Sequence, residues 1–95
     1  MIVGMCRVDL FIPEGNSLKS KRRVLKGLID RVRHNFNISI AEVDNHNLWQ
    51  RASIGFTLVG NDKRFVDSGL SKILDYLRGL RSVTIIDEER EILNF

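Results

Sequence analysis

One cysteine, one proline, one tryptophan and two histidines are all that this chain of 95 residues holds of the side chains that most often staple a small fold or carry its chemistry. With Cys6 alone, no intrachain disulfide can form, and its place in an apolar run marks it as a small buried hydrophobe, which favours a reducing compartment. No apolar run approaches the roughly 18 to 20 residues of a membrane-spanning helix, and residues 1–20 lack the charged and hydrophobic regions of a signal peptide. A cytoplasmic location without membrane association is therefore expected. His46 lies beside Asp44 among turn-forming residues, but a pair with no third ligand is a weak case for a metal or an acid–base site. No nucleophile stands with a base in any recognisable spacing. The expectation is a non-enzyme with no cofactor and no metal.

What the chain does have is regular patterning. Its hydrophobic content of 43% is ordinary for one soluble domain, here read as residues 1–95. A chain of this size buries roughly two-thirds of its unfolded surface, which leaves little room for a deep active-site cavity unless a second subunit supplies a wall. Residues 2–12 alternate as a strand, with Ile2, Gly4, Cys6, Val8, Leu10 and Ile12 on one face and Val3, Met5, Arg7, Asp9 and Phe11 on the other. The second face is mixed rather than polar, so another surface is expected to cover part of it. Pro13, Gly15 and Asn16 end the strand. A helix follows over 17–36, then strands over 38–44 and 51–59, the latter with Ala52, Ile54, Phe56 and Leu58 on one face. Between these strands Asp44, Asn45, His46 and Asn47 form a turn. Trp49, at the end of that loop, is expected to cap the core, the other reading being a contact residue.

Asn61 reads as the N-cap of a second helix, whose Val66, Leu70, Ile73, Leu74, Leu77 and Leu80 share one face. Asp62 near its start and Arg78 and Arg81 near its end suit the helix dipole. Residues 82–93 form the last strand, and its acids Asp87, Glu88, Glu89 and Glu91 suit a sheet edge, where they discourage pairing with other chains. The order β-α-β-β-α-β, with right-handed crossovers, defines an α+β ferredoxin-like sandwich: an antiparallel sheet in spatial order 4-1-3-2 with two helices on one face.

The first helix holds a disproportionate share of the positive charge. Val24, Leu25, Leu28, Ile29, Val32 and Phe36 form its core face. Lys19, Arg22, Arg23, Lys26 and Arg33 form a stripe on the far side, with Asp30 the one acid among them. Ser17 is the expected N-cap, so Lys19, Lys21, Arg22 and Arg23 occupy the first two turns. There the macrodipole is positive and each cation costs about 0.3 to 1 kcal/mol. The second helix obeys the dipole rule, so the violation is local. Ser17, Lys19, Lys21 and Arg22 thereby make an anion-binding candidate, against the plain alternative of a solvated face. Lys21 lies within the apolar arc. Its stem is expected to cover the core edge while the ammonium reaches solvent, the other disposition being across the end of the sheet into the anion site.

Pro13, then Ser17-Leu18-Lys19 with Lys21-Arg22, followed by Ala41-Glu42-Val43 and Leu48-Trp49-Gln50, resembles the YlxP-like family of small bacterial proteins of unknown function, over residues 1–93. The resemblance implies a ferredoxin-like fold and a bacterial cytosolic protein whose gene often lies among translation-factor and ribosome-maturation genes. It transfers no catalytic residue.

Three functions follow for comparison. The first is a binding module for structured RNA, with ribosomal RNA or a ribosomal subunit as partner, in which Lys19, Lys21, Arg22, Arg23, Lys26 and Arg33 contact phosphates. The outer face of the third strand offers Ser53, Gly55 and Thr57 and that of the first only Phe11 at its far end, so this is not a module that stacks bases on its central strands. The second is an enzyme. An acylphosphatase would need a glycine-rich phosphate loop ending in Arg, which residues 13–20 lack, and a copper chaperone would need paired cysteines there. The third is a structural or regulatory homodimer formed through the open sheet face, with Val3, Met5, Arg7 and Phe11 in contact, and binding a protein or a small anionic ligand rather than nucleic acid.

Overall fold

Alternation in the first dozen residues becomes a ten-residue strand, β1 (Ile2–Phe11), whose Cys6, Val8 and Leu10 are buried on the face predicted for them. In the computed structural model, which describes residues 1–95, it is followed by α1 (Leu18–Asn35), β2 (Ser39–Asp44), β3 (Arg51–Gly60), α2 (Lys63–Arg78) and β4 (Thr84–Asn94). The sheet runs β2-β3-β1-β4, the expected order read from its other edge, and every pairing is antiparallel. This is the βαββαβ topology of the ferredoxin-like fold. β1 sits at its centre, with Val8 opposite Ile54 on β3 and Glu88 on β4.

The core is one cluster between the helices and a single face of the sheet. Leu25, Leu28 and Val32 of α1 meet Leu70, Ile73, Leu74 and Leu77 of α2 over Val8, Leu10, Ile54 and Phe56. Gly4 lets α2 approach β1 closely, since a Cβ there would lie 2.5 Å from Val66 Cγ1. Near the far ends of the helices, Phe36 and Tyr76 meet edge to face at 5.6 Å between ring centroids, a favourable aromatic geometry.

The caps follow side-chain chemistry. Ser17 is the N-cap of α1, its Oγ accepting from the Ser20 amide at 3.0 Å. For α2 the cap is Asp62 rather than the expected Asn61, with Asp62 Oδ1 accepting from the Arg64 amide at 3.3 Å. A carboxylate at the positive end of the dipole is the stronger acceptor of the two. The last strand begins at Thr84, two residues later than expected, after a turn at residues 81–82 that follows the Leu80 N–H bond to Leu77 O.

Candidate nucleic-acid interface

Helical spacing places Lys19, Arg22, Arg23, Lys26 and Arg33 in an exposed row on the outer side of α1, opposite the buried Leu25, Leu28 and Val32. They are not equivalent. Lys26 donates to Asp30 one turn on, at 2.8 Å, and that bond holds the Asp30 carboxyl below the usual carboxylate range. Arg33 reaches sideways and donates to the Ile40 carbonyl of β2 at 3.0 Å, closing part of that sheet edge. Lys19, Arg22 and Arg23 enter no ion pair, and no acid lies in the first turn. Arg31 of α1 and Arg64 and Lys72 of α2 are likewise exposed and unpaired. Because both helices cover one face of the sheet, these cations share a side of the molecule.

The acids of β4 lie apart from the cations of α1. α1 packs over β2, whereas β4 forms the opposite edge of the sheet. On β4, Glu88 accepts from Arg78 at 2.6 Å, and Arg90 donates to Asp67 of α2 at 2.7 Å. Glu89 and Glu91 enter no ion pair and line a groove on the open sheet face. The acids of β4 thus lie along the sheet edge opposite α1, while Asp30, Asp67 and Asp75 stand among the cations on the helices.

Lys21 corrects the expectation that its ammonium reaches solvent. It is 0% exposed. Nζ donates to the carbonyl of Asn45 at 2.6 Å and to that of His46 at 3.4 Å. Glu42 Oε2 lies 3.0 Å away, at an angle that leaves this an ionic contact rather than a hydrogen bond. A buried ammonium needs such partners to offset lost hydration. With its donors directed into the β2–β3 loop, Lys21 fixes that loop instead of facing an external anion. Ser17 is also committed: its Oγ caps the Ser20 amide and donates to Ser20 Oγ at 3.1 Å. Of the anion candidate, Lys19 and Arg22 keep free charge.

A second polar cluster, on the open face of the sheet, carried no signal beyond Ser53 itself. Ser53 is fully buried, because neighbouring side chains close over it. Its Oγ donates to Asp9 Oδ1 at 2.6 Å and accepts from Asn45 Nδ2 at 2.8 Å. Arg7 bridges the same group to Asp44 at 3.3 Å. The Asn45 amide, followed by Arg7, holds the Asp44 carboxyl below its ordinary range. Asn45 is the one non-glycine residue with positive φ, at 61°, a conformation asparagine tolerates better than most. Asp44 is thus engaged beside His46, and no three His, Cys, Asp or Glu side chains are arranged so that they could hold a metal ion.

Trp49 does not cap the core. It is 54% exposed, because the backbone beneath it is tied down on the outside of the fold. Ile12 N–H donates to Gln50 O at 2.9 Å, and Gln50 Nε2 donates to Pro13 O at 3.1 Å. Gly15 lies so close that a Cβ there would stand 1.9 Å from Trp49 O.

An antiparallel βαββαβ sandwich with a cationic outer helix face is the class of molecule these observations define. Residues 3–90 match the family described as a protein of unknown function (DUF503). The chain belongs to that family. It is 33% identical over 76 residues to the uncharacterized protein YlxP of Bacillus subtilis (strain 168), an alignment covering 80% of this chain and 83% of that protein. Among solved structures, a REP-associated tyrosine transposase bound to a REP hairpin aligns with 98% of this chain and 56% of that one, at 15% identity and a TM-score of 0.46. That degree of likeness does not define a shared fold. No helix is long and apolar enough to cross a membrane.

Proposed function

We infer that this protein binds the phosphate backbone of structured RNA through the outward face of α1, with a ribosomal subunit as the partner to test first. The observation that carries the reading is that Lys19, Arg22 and Arg23 stand exposed and unpaired in the first two turns of α1, where the dipole makes them costly unless an anion is present. Lys26 and Arg33 flank them, each already bonded within the fold, and exchange those bonds for phosphates at the margin of the contact. No base readout is required, so affinity follows charge and shape. Each neutralised phosphate contributes a loss of about 0.7 to 0.9 log units of affinity per log unit of salt.

The test is co-sedimentation with ribosomal subunits across a salt series, comparing wild type with a Lys19→Glu, Arg22→Glu, Arg23→Glu variant. Wild type pellets with a subunit at low salt and is released as salt rises, while the variant, folded by circular dichroism, stays in solution. Equal pelleting of both proteins, or none by wild type at any salt, refutes the reading.

The open sheet face supports a second reading, a homodimer or another protein contact. A groove of about 400 Å³ runs across it, lined in part by Met5, Val43, Gly55 and Thr57. Gly55 has no side chain and those of Ala41 and Ser39 are too small to fill it, and Val43, Val59 and Leu93 remain exposed.

A further inference from the structure

Trp49 is the single tryptophan of the chain, and more than half of it faces water. An apolar surface of that size, presented on a tip that cannot turn inward, calls for an occupant. Both ends of the loop are held. Lys21 Nζ grips the carbonyls of Asn45 and His46, and the Asn45 side chain is bonded to Ser53. Ile12 and Pro13 bind Gln50, while the Gly15 backbone lies against Trp49 O. The indole therefore stands on a fixed base, so a ligand meets it without ordering the backbone first.

Its surroundings give the chemistry of the occupant. Trp49 and Leu48 line a shallow groove with Asn16 and Arg51. Asn16 also belongs to a neighbouring groove, lined by Ser20 and Arg23 at the start of α1. Arg51 and Arg23 are both exposed and enter no ion pair. Glu14, in the second groove, is the one carboxylate lining either. A planar aromatic surface thus shares its groove with one unpaired guanidinium, Arg51, and adjoins the groove of a second, Arg23, at the start of α1. An aromatic face beside cations matches a nucleobase beside its own phosphates, the pairing that unpaired RNA presents and a duplex conceals.

We propose that Trp49 is a stacking platform for an unpaired base of the RNA, with Arg51 and Arg23 holding the adjoining phosphates. The proposal rests on the reading of α1 as a phosphate-binding face and adds to it a class of target: a loop, bulge or single-stranded end next to structured RNA.

The lone tryptophan makes the test direct. A labelled single-stranded RNA of mixed sequence and a fully paired duplex of the same sequence are titrated against wild type, Trp49→Ala, Trp49→Phe and the Lys19→Glu, Arg22→Glu, Arg23→Glu variant. Anisotropy reads binding and tryptophan emission reads stacking. Single-stranded RNA quenches wild-type emission, and Trp49→Ala binds it about 5- to 150-fold more weakly, whereas Trp49→Phe retains most of the affinity and duplex binding is unaffected by either change. If the single strand binds wild type and Trp49→Ala alike with no quenching, while the triple variant loses binding, the stacking proposal falls and the phosphate reading stands. If neither RNA binds wild type at any salt, both fall. If Trp49→Ala abolishes a self-association seen by sedimentation velocity while RNA affinity is unchanged, the indole serves a protein contact and the proposal is overturned.

Discussion

Replacing Lys21 by methionine keeps the length and apolar stem of the side chain and deletes the ammonium alone, which isolates what that charge does inside the fold. At 3.0 Å from Glu42 Oε2, a pair of unit charges attracts by roughly 5 kcal/mol at an effective dielectric constant near 20. Most of this is offset by the dehydration of both groups. The deletion, however, recovers only the dehydration of the lysine. Glu42, with its side chain 19% exposed, loses its cation, and the Asn45 and His46 carbonyls lose a charged donor worth about 1.5 to 3 kcal/mol. The expected cost of Lys21→Met is therefore about 3 to 5 kcal/mol. Glu42→Gln, which leaves Nζ its two carbonyls, costs about 1 to 2 kcal/mol. Urea unfolding at neutral pH of wild type, both single variants and the double variant closes a cycle, with a coupling of about 1 to 3 kcal/mol. In thermal melts Lys21→Met lowers Tm by about 12 °C or more. A Lys21→Met protein within about 0.5 kcal/mol of wild type, the scale of an ordinary surface substitution, refutes the account of this lysine as the clamp of the β2–β3 loop.

Two further outcomes follow from the same structure. Burial pushes the Cys6 thiol up to about 11, against the opposing charge of Arg90. Above pH 9 the unfolded chain loses that proton while the folded chain keeps it, so stability falls with rising pH between about 9 and 11, by about 2 kcal/mol at pH 10.5; urea melts of wild type and Cys6→Ala at pH 8 and 10.5 check this, and equal slopes refute it. On the open sheet face, a dimer that buries Met5 gives twice the monomer mass for wild type and the monomer mass for Met5→Glu by sedimentation equilibrium, and a monomer mass for both removes that interface.

Most of the architecture could be read along the chain, since it depends on local periodicity. The two-residue alternation of β1 and the helical spacing of Leu25, Leu28 and Val32 each point one face inward regardless of what covers it. The charged row on α1 was readable for the same reason. What escaped depends on contacts between distant segments. Helical spacing puts Lys21 on the apolar arc, but the Asn45 and His46 carbonyls it meets belong to the β2–β3 loop, where Asn45 has positive φ. Trp49 has the apolar bulk of a core cap and is kept outside by the backbone contact with Gly15, the bond from Ile12 N–H to Gln50 O and the bond that Gln50 Nε2 donates to Pro13 O. Ser53 looked like an ordinary outward residue, and only the convergence of Asp9, Asn45 and Arg7 buries it. Helical spacing puts Arg33 in the charged stripe, and nothing local to it signals the Ile40 carbonyl to which it donates.

The central place of β1 sets a timetable for the newborn chain. It precedes the other five elements in the chain, yet it pairs with β3 on one side and β4 on the other, Ile2 lying opposite Gly60 and Asn94. Until β3 has been synthesised, neither edge of β1 has its partner, and the sheet closes only after Thr84–Asn94 has followed. Contacts this distant in sequence carry a large entropy of closure and slow the folding step. The strand from Ile2 to Phe11 therefore waits unpaired until β3 has been made, and α1, whose contacts along its own length are local, is free to form before the sheet it will cover.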